Sequence, residues 1–299
     1  MADAVELLAI HKTYDHFVAV DHLSLGIREG SVYGLLGPNS AGKTSTVRMM
    51  IGITLPDQGE VRLFGEPFRR ELLHRIGYLP EERGLYKKMK VLDHLIFLGR
   101  LHNMSERDAR SRSLAWCQRL EITDWLQKKV EELSKGMQQK IQFVATLLHD
   151  PDLVIMDEPF SGLDPANAVM LKDVLIELKN SGKTILFSTH RMDQVERLCD
   201  SICLINHGRA ILEGDLKKIK ASYGKNHVQM QYEGDPRLDG CELVQSFNTY
   251  GNYVEIRLRP GADAQQLLRR AADSARISRF ELMEPSLEEI FIDRVGKNA

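Results

Sequence analysis

Cysteine is scarce in this chain. Only Cys117, Cys199, Cys203 and Cys241 occur in 299 residues, and none has the spacing of a zinc or redox motif. They read as small buried hydrophobes in a reducing cytosol rather than as a disulfide framework. Long apolar runs are also missing. No stretch of 18 apolar residues occurs, so no membrane-spanning helix is expected. Positive charge is not in excess: 40 Lys and Arg face 42 Asp and Glu, a formal charge of −2. That balance gives no field for nucleic acid, and no nucleic-acid partner is expected. Met1 to Glu6 carries two acids and no basic stretch, which argues against a secretory signal. Internal repeats and low-complexity segments are absent as well. What is left is the balance of an ordinary globular chain, 43% hydrophobic and 27% charged, of a length for about two domains.

The most informative stretch is Gly37-Pro38-Asn39-Ser40-Ala41-Gly42-Lys43-Thr44, followed by Ser45. It has the G-x-x-x-x-G-K-[ST] form of a phosphate-binding P-loop. An apolar run from Ser31 to Leu36 precedes it as a buried strand, and a helix is expected from Ser45 to Ile51. Glycines let the backbone curl so that its N–H groups converge on a polyphosphate, and the helix N-terminus adds partial positive charge. Lys43 then meets the β- and γ-phosphates, and the Thr44 hydroxyl takes a place on Mg2+.

Around this loop the chain alternates between strand and helix signals. Residues 5–30 read as antiparallel β-structure, with Tyr14 on its edge, either an ordinary strand tyrosine or an aromatic that stacks on a purine. Thr54 to Gly59 is a turn before a strand at Glu60–Phe64, and Ile76 to Leu79 is a short strand ended by Pro80. From Glu81 to about Asp150 the period becomes helical, an inserted subdomain at about 82–150. Ser105 starts one of its helices, with Leu114, Trp116, Cys117 and Leu120 as the apolar face. Leu153-Val154-Ile155-Met156 reads as a fully buried parallel strand. Helices at Ala168–Leu178 and Gln194–Leu198 flank a strand at Thr184–Ser188, and a hairpin turns at His207-Gly208. After about Lys220 the character changes to a small α+β domain. It has strands at His227–Tyr232, Tyr253–Leu258 and Ile277–Met283, a helix at Ala262–Ala275, and a capping box Ser286-Leu287-Glu288-Glu289 that opens a last helix. Ser222 to Asn226 is the expected linker. The fold expected is α/β: a P-loop NTPase core with a mostly parallel sheet, an antiparallel β subdomain, a helical insertion, and a C-terminal α+β domain, with domains at 1–220 and 221–299.

Four further stretches sharpen the chemistry. The strand ending in Asp157-Glu158-Pro159 sets one carboxylate to hold Mg2+ and a second beside the γ-phosphate, where Glu158 polarises the attacking water as a general base. Leu133-Ser134-Lys135-Gly136-Met137-Gln138-Gln139 resembles the signature sequence of ATP-binding-cassette (ABC) ATPases. Ser161-Gly162-Leu163-Asp164 resembles their D-loop, and Ser188-Thr189-His190 their switch histidine. The order P-loop, signature, Asp-Glu, D-loop, His marks residues 4–220 as similar to an ABC cassette. The resemblance implies ATP sandwiched between two copies, or between this chain and a paralogous ATPase subunit. Ser134, Lys135, Gly136 and Met137 would contact the partner's ATP, and Asp164 would bridge the subunits. His190 would orient Glu158, and Tyr14 would stack on adenine. Ser134 and Gly136 also open a helix, whose N-terminus suits an anion. Three departures from the family pattern stand out. Ser40 replaces a P-loop glycine, Lys135 and Met137 replace signature residues, and Glu81 follows Pro80 where the family's Mg2+-reaching glutamine is expected.

Pro80-Glu81-Glu82-Arg83-Gly84-Leu85-Tyr86 and Glu284-Pro285-Ser286-Leu287-Glu288-Glu289-Ile290-Phe291 resemble one branch, the ATPase subunits of ABC-2-type exporters for sodium or drugs. That resemblance implies a separate transmembrane permease and a place on the cytoplasmic face of the membrane. The alternative is an ABC ATPase acting on ribosomes or DNA. Against it stand the single cassette and a helical block too short for the long coiled coils of DNA-repair members. A P-loop kinase would leave the signature stretch unexplained.

Overall fold

Alternating apolar residues shape the first sheet of the computed structural model, which describes residues 3–82 and 84–296. Strands β1 (Asp3–Tyr14) and β2 (Phe17–Arg28) form a long hairpin. In β1, Val5, Leu7 and Ile10 turn inward, and in β2, Val20, Leu23, Leu25 and Ile27 do so. Strand β3 (Val32–Leu36) is buried along its whole length and leads into the P-loop, which opens helix α1 (Lys43–Met50). Strands β4 (Gln58–Leu63) and β5 (Glu66–Pro67) complete a four-stranded sheet in the order β2-β1-β4-β5, antiparallel at each pairing.

Strand β6 (Ile76–Leu79) is followed by three helices, α2 (Val91–Leu101), α3 (Glu106–Arg119) and α4 (Lys135–Leu147). Ser105 caps α3, its Oγ accepting from the Asp108 N–H at 3.0 Å. The buried stripe of α3 is Ala109, Ser113 and Cys117, with Leu120 just beyond its end. Leu114, expected on the apolar face, is exposed, and Trp116 is half-buried. The i, i+4 row through Ala109 and Cys117 leaves Leu114 one step off the stripe.

The chain then alternates: β7 (Leu153–Asp157), α5 (Pro165–Asn180), β8 (Thr184–Thr189), α6 (Met192–Leu198), β9 (Ser201–Asn206) and β10 (Arg209–Asp215). These strands build a six-stranded sheet in the order β10-β9-β3-β8-β7-β6, parallel from β9 through β6. Residues of both sheets and of α1 share one apolar core that includes Leu7, Leu25, Val47, Met50, Leu35, Ile155 and Leu186.

Two compact units divide between Gly214 and Asp215. The boundary expected near 220 falls inside helix α7 (Leu216–Tyr223), so the expected linker begins within that helix, and Gly224 follows at φ +72°. In the second unit, β11 (His227–Gly234), β12 (Val244–Tyr250), β13 (Tyr253–Leu258) and β14 (Ala275–Met283) pair antiparallel in the order β12-β13-β11-β14. Helix α8 (Ala264–Ala272) lays Leu267 and Ala271 against Val228, Met230, Val254 and Ile256. Strand β12 had no sequence signal, because it is an edge strand with Val244 as its one fully buried residue. Helix α9 (Leu287–Gly296) opens on the expected capping box: the Glu289 N–H donates to Ser286 Oγ at 3.2 Å, and the Ser286 N–H to the Glu289 carboxylate at 2.8 Å.

Burial opposes ionisation of Glu289. The ion pair with His227 Nε2 at 3.0 Å and the Ser286 hydrogen bonds outweigh it and bring the carboxyl down to about 2. A depressed folded-state value stabilises above the unfolded value near 4.5 and ceases to do so as the pH falls toward 2. The stability gap between wild type and Glu289→Gln is therefore expected to be widest above pH 4.5 and to close towards pH 2, read by urea unfolding at a series of pH values. A pH-independent gap would contradict this.

Candidate nucleotide cleft

The parallel register of three strands decides where the polar residues meet. Leu36 at the end of β3 pairs with Thr189 at the end of β8, and Asp157 at the end of β7 pairs with Ser188. The P-loop, the Asp157-Glu158 pair and the segment around His190 thus emerge side by side, at the carboxyl ends where open α/β sheets bind ligands. They enclose a cleft of about 470 Å3 lined by Asn39 to Ser45, Asp157, Glu158 and His190, with Tyr14, Phe17, Ala19 and Glu81 at its sides.

Gly42 holds the P-loop curled. Its φ of +105° is left-handed, and a Cβ there would stand 2.4 Å from the Ala19 carbonyl oxygen. Ser40 adopts φ +63°, a conformation a glycine takes without strain, so its departure from the family pattern is accommodated at some conformational cost. Lys43 folds over the loop, its Nζ donating to the carbonyl oxygens of Gly37 at 2.9 Å and Pro38 at 3.0 Å. Burial pushes its ammonium below the ordinary lysine value, while the charges of Glu158, Asp157 and Glu81 act in the opposite direction.

Asp157 is buried. Its carboxylate accepts from Thr44 Oγ1 at 3.0 Å and from the Ser188 hydroxyl. Glu158 sits at φ +50°, a left-handed turn that ends β7, with its N–H donating to the Ser188 carbonyl at 3.0 Å. Its carboxylate is gripped from three sides: Thr189 Oγ1 at 2.9 Å, the His190 N–H at 2.9 Å and His190 Nδ1 at 2.7 Å. A carboxylate there makes Nδ1 the protonated ring nitrogen of His190. Strain and multiple donors at one carboxylate mark a residue fixed for a task. Three carboxylates therefore face one lysine in the cleft. The oxygen donors Thr44, Asp157 and Glu81 suit a hard divalent cation such as Mg2+.

Ser134, Lys135, Gly136, Met137 and Asp164 do not line this cleft. Ser134 caps α4, its exposed Oγ accepting from the Met137 N–H at 3.3 Å. Asp164 caps α5, its carboxylate accepting from the Asn167 N–H at 2.9 Å. Arg83, quoted with the branch motif, lies outside the described residues. Sequence reasoning missed Phe17 and Ala19 as lining, and also missed the hydroxyls of Ser188 and Thr189 as anchors of the two carboxylates. A polar pair ending an apolar strand was the available signal. Gln139, quoted only as the end of the signature stretch, and Gln142 were missed as ties, since both sit on the buried face of α4. Gln139 Nε2 donates to the Pro159 carbonyl at 3.3 Å and Gln142 Nε2 to the Pro80 carbonyl at 3.0 Å. They tie the signature helix to the segments that carry Glu158 and Glu81.

Residues 20–161 match the ABC transporter family, and residues 214–295 match the C-terminal domain of ATP-binding proteins like DrrA1-3. An uncharacterized ABC transporter ATP-binding protein of Bacillus subtilis (strain 168), YhaQ, is 46% identical over 96% of this chain and 97% of its own. The chain belongs to the ABC transporter ATP-binding proteins. It is the ATP-binding subunit of an ABC transporter, and an ATPase. Nod factor export ATP-binding protein I of Paraburkholderia xenovorans (strain LB400) is 34% identical over 98% of this chain and 97% of its own. The structure of an ATP-binding subunit of an ABC transporter matches with a TM-score of 0.68 at 29% identity, covering 74% of this chain and 93% of that one. Among the described residues no helix of this ABC ATPase is long and apolar enough to cross a membrane.

Substituting Gly42 by Ala drives the new methyl onto the Ala19 carbonyl and strains φ. The variant is expected to lose about 1–3 kcal/mol of stability in urea unfolding and to bind ATP more weakly in equilibrium titration. Wild-type values for both would contradict the steric account.

Proposed function

We propose that this chain powers an ABC-2-type exporter by closing with a second copy, or with a paralogous ATPase subunit, around ATP. The observation that carries the reading is a division of labour across the surface. Lys43, Thr44, Asp157, Glu158 and His190 share one cleft. The exposed helix start at Ser134, an anion-binding geometry by its free N–H groups and dipole, does not line that cleft. A second copy, turned so that its Ser134 and Gly136 face the γ-phosphate, supplies the missing wall, with Lys135 and Met137 beside them and Asp164 bridging the two chains.

Within the cleft, the backbone N–H groups of the loop from Gly37 to Ser45 wrap the phosphates. Lys43 exchanges its two carbonyl contacts for β- and γ-phosphate oxygens, and Tyr14 stacks on adenine. Thr44, Asp157 and Glu81 would hold Mg2+. When bound, the ion neutralises charge on the phosphate oxygens. Glu158 takes the proton of the attacking water as the water oxygen bonds to the γ-phosphorus and the bond to ADP breaks. His190 and Thr189 keep the carboxylate aimed.

Export as the direction draws support from the Nod factor export relatives. The transported substrate belongs to the permease, a separate membrane-spanning chain, so this subunit works at the cytoplasmic face of the membrane. Gln139 and Gln142 give the helical block a physical grip on the cleft through the Pro159 and Pro80 carbonyls.

Glu158→Gln removes the proton acceptor and keeps the shape. ATP hydrolysis is expected to fall by about 10²–10⁴-fold, while an ATP-dependent dimer accumulates in sedimentation-velocity runs. Rapid turnover in that variant, or a monomer at saturating ATP, would overturn the proposal.

A further inference from the structure

Away from the cleft's chemistry, the β1–β2 hairpin gathers two imidazoles and a carboxylate. Ile10 pairs with Leu23 and Lys12 with Val20, so Asp21 and His22 together oppose His11 alone. That is a β-bulge, with His22 left-handed at φ +50°. In a regular strand Asp21 and His22 would point to opposite faces. Here His22 Nδ1 lies 2.7 Å from Asp21 Oδ1, and His11 Nδ1 lies 3.4 Å from the same oxygen. The three residues offer ligand atoms all within 4.8 Å of one another, and the His11 and His22 ring centroids stand 4.9 Å apart.

Two details point to a cation site beyond the hydrogen bond between His22 and Asp21. His11 Nδ1 is buried and makes no hydrogen bond, although it faces the carboxylate. Its Nε2 lies 3.1 Å from Thr13 Oγ1, a partner of its own, which leaves Nδ1 as the nitrogen turned to Asp21. A metal-bound imidazole has this arrangement, one nitrogen on the ion and the other donating to a second partner. Asp21 is oriented as well. Arg209 Nε at 2.7 Å and Nη2 at 2.6 Å both occupy its Oδ2, leaving Oδ1 toward the histidines.

We infer that His11, Asp21 and His22 form a site for a divalent transition-metal ion of the zinc class. Two imidazole nitrogens with one carboxylate select zinc-like ions over magnesium or calcium. Ligands bonded at zinc distances stand about 3.3 Å apart in a tetrahedron. The His11 approach already has that span, and the exposed His22 ring swings to reach it. Water fills the fourth position. The ion clamps the bulge across both strands. The Asp21 N–H donates to the Gly208 carbonyl, and the Gly208 N–H to that of Ala41, each at 2.9 Å, so the clamp is two hydrogen bonds from the P-loop.

The test uses the full chain, stripped of metal and free of nucleotide. Co2+ serves as the spectroscopic probe, Zn2+ affinity is read by competition with a chromophoric chelator, and thermal melts are run with and without Zn2+. The expected result is tetrahedral Co2+ absorption displaced by Zn2+, and a melting temperature raised by Zn2+. His22→Ala and His11→Gln are each expected to weaken Zn2+ binding at least about tenfold and to abolish the Zn2+-induced rise. His22 is solvent-exposed, so its variant keeps the fold, checked by circular dichroism. Wild type without tetrahedral Co2+ absorption, or His22→Ala binding Zn2+ as tightly as wild type, would overturn the assignment.

Discussion

Everything in the cleft depends on the register of three parallel strands. A shift of β7 against β8 by one residue would separate Asp157 from Ser188 and turn the side chains of the strand to opposite faces. Strands β7, β3 and β8 are buried at every residue, so close packing of unequal side chains holds the register. Apolar packing therefore decides where the two carboxylates end, and the hydroxyls of Ser188 and Thr189 hold them there. The strained turn at Glu158 is tolerated because backbone and side-chain hydrogen bonds hold it from several directions.

Charge explains why such a cleft suits a nucleotide and, under the proposed function, a divalent cation with it. Asp157, Glu158 and Glu81 stand around Lys43, whose ammonium is disfavoured by burial. A polyphosphate alone would add to the negative charge, and a divalent cation alone would leave the N–H groups of the P-loop unused. The two neutralise each other's excess, which is the physical content of a site built from a curled loop and an acidic strand end. Gln139 and Gln142 then make the cleft mechanically continuous with the helices beyond it, since each spans from α4 to a carbonyl next to a cleft carboxylate.

Much of this was legible in the sequence. The P-loop, the apolar run into Asp157-Glu158 and the Ser188-Thr189-His190 segment carry strong local patterns, and the strands and helices around them follow from period and caps. The capping box at Ser286 named the start of α9 to the residue. Less visible were features that tertiary contacts create. Leu114 looks apolar in sequence, but the row through Ala109 and Cys117 faces the core instead. Strand β12 lacks an apolar face because it lies at a sheet edge. The cluster of His11, Asp21 and His22 exists only because a bulge sets two residues of one strand opposite one residue of the other, a register that no single-strand pattern encodes.

Coupling to a membrane partner is the central claim about function, and recovery of the protein from its native cells in mild detergent tests it most directly. Mass spectrometry of the purified material should find a polytopic membrane protein in stoichiometric amount. Ribosomal proteins or nucleic-acid-bound partners, with no membrane protein among them, would contradict the exporter account and point to a mechanical ATPase of another kind.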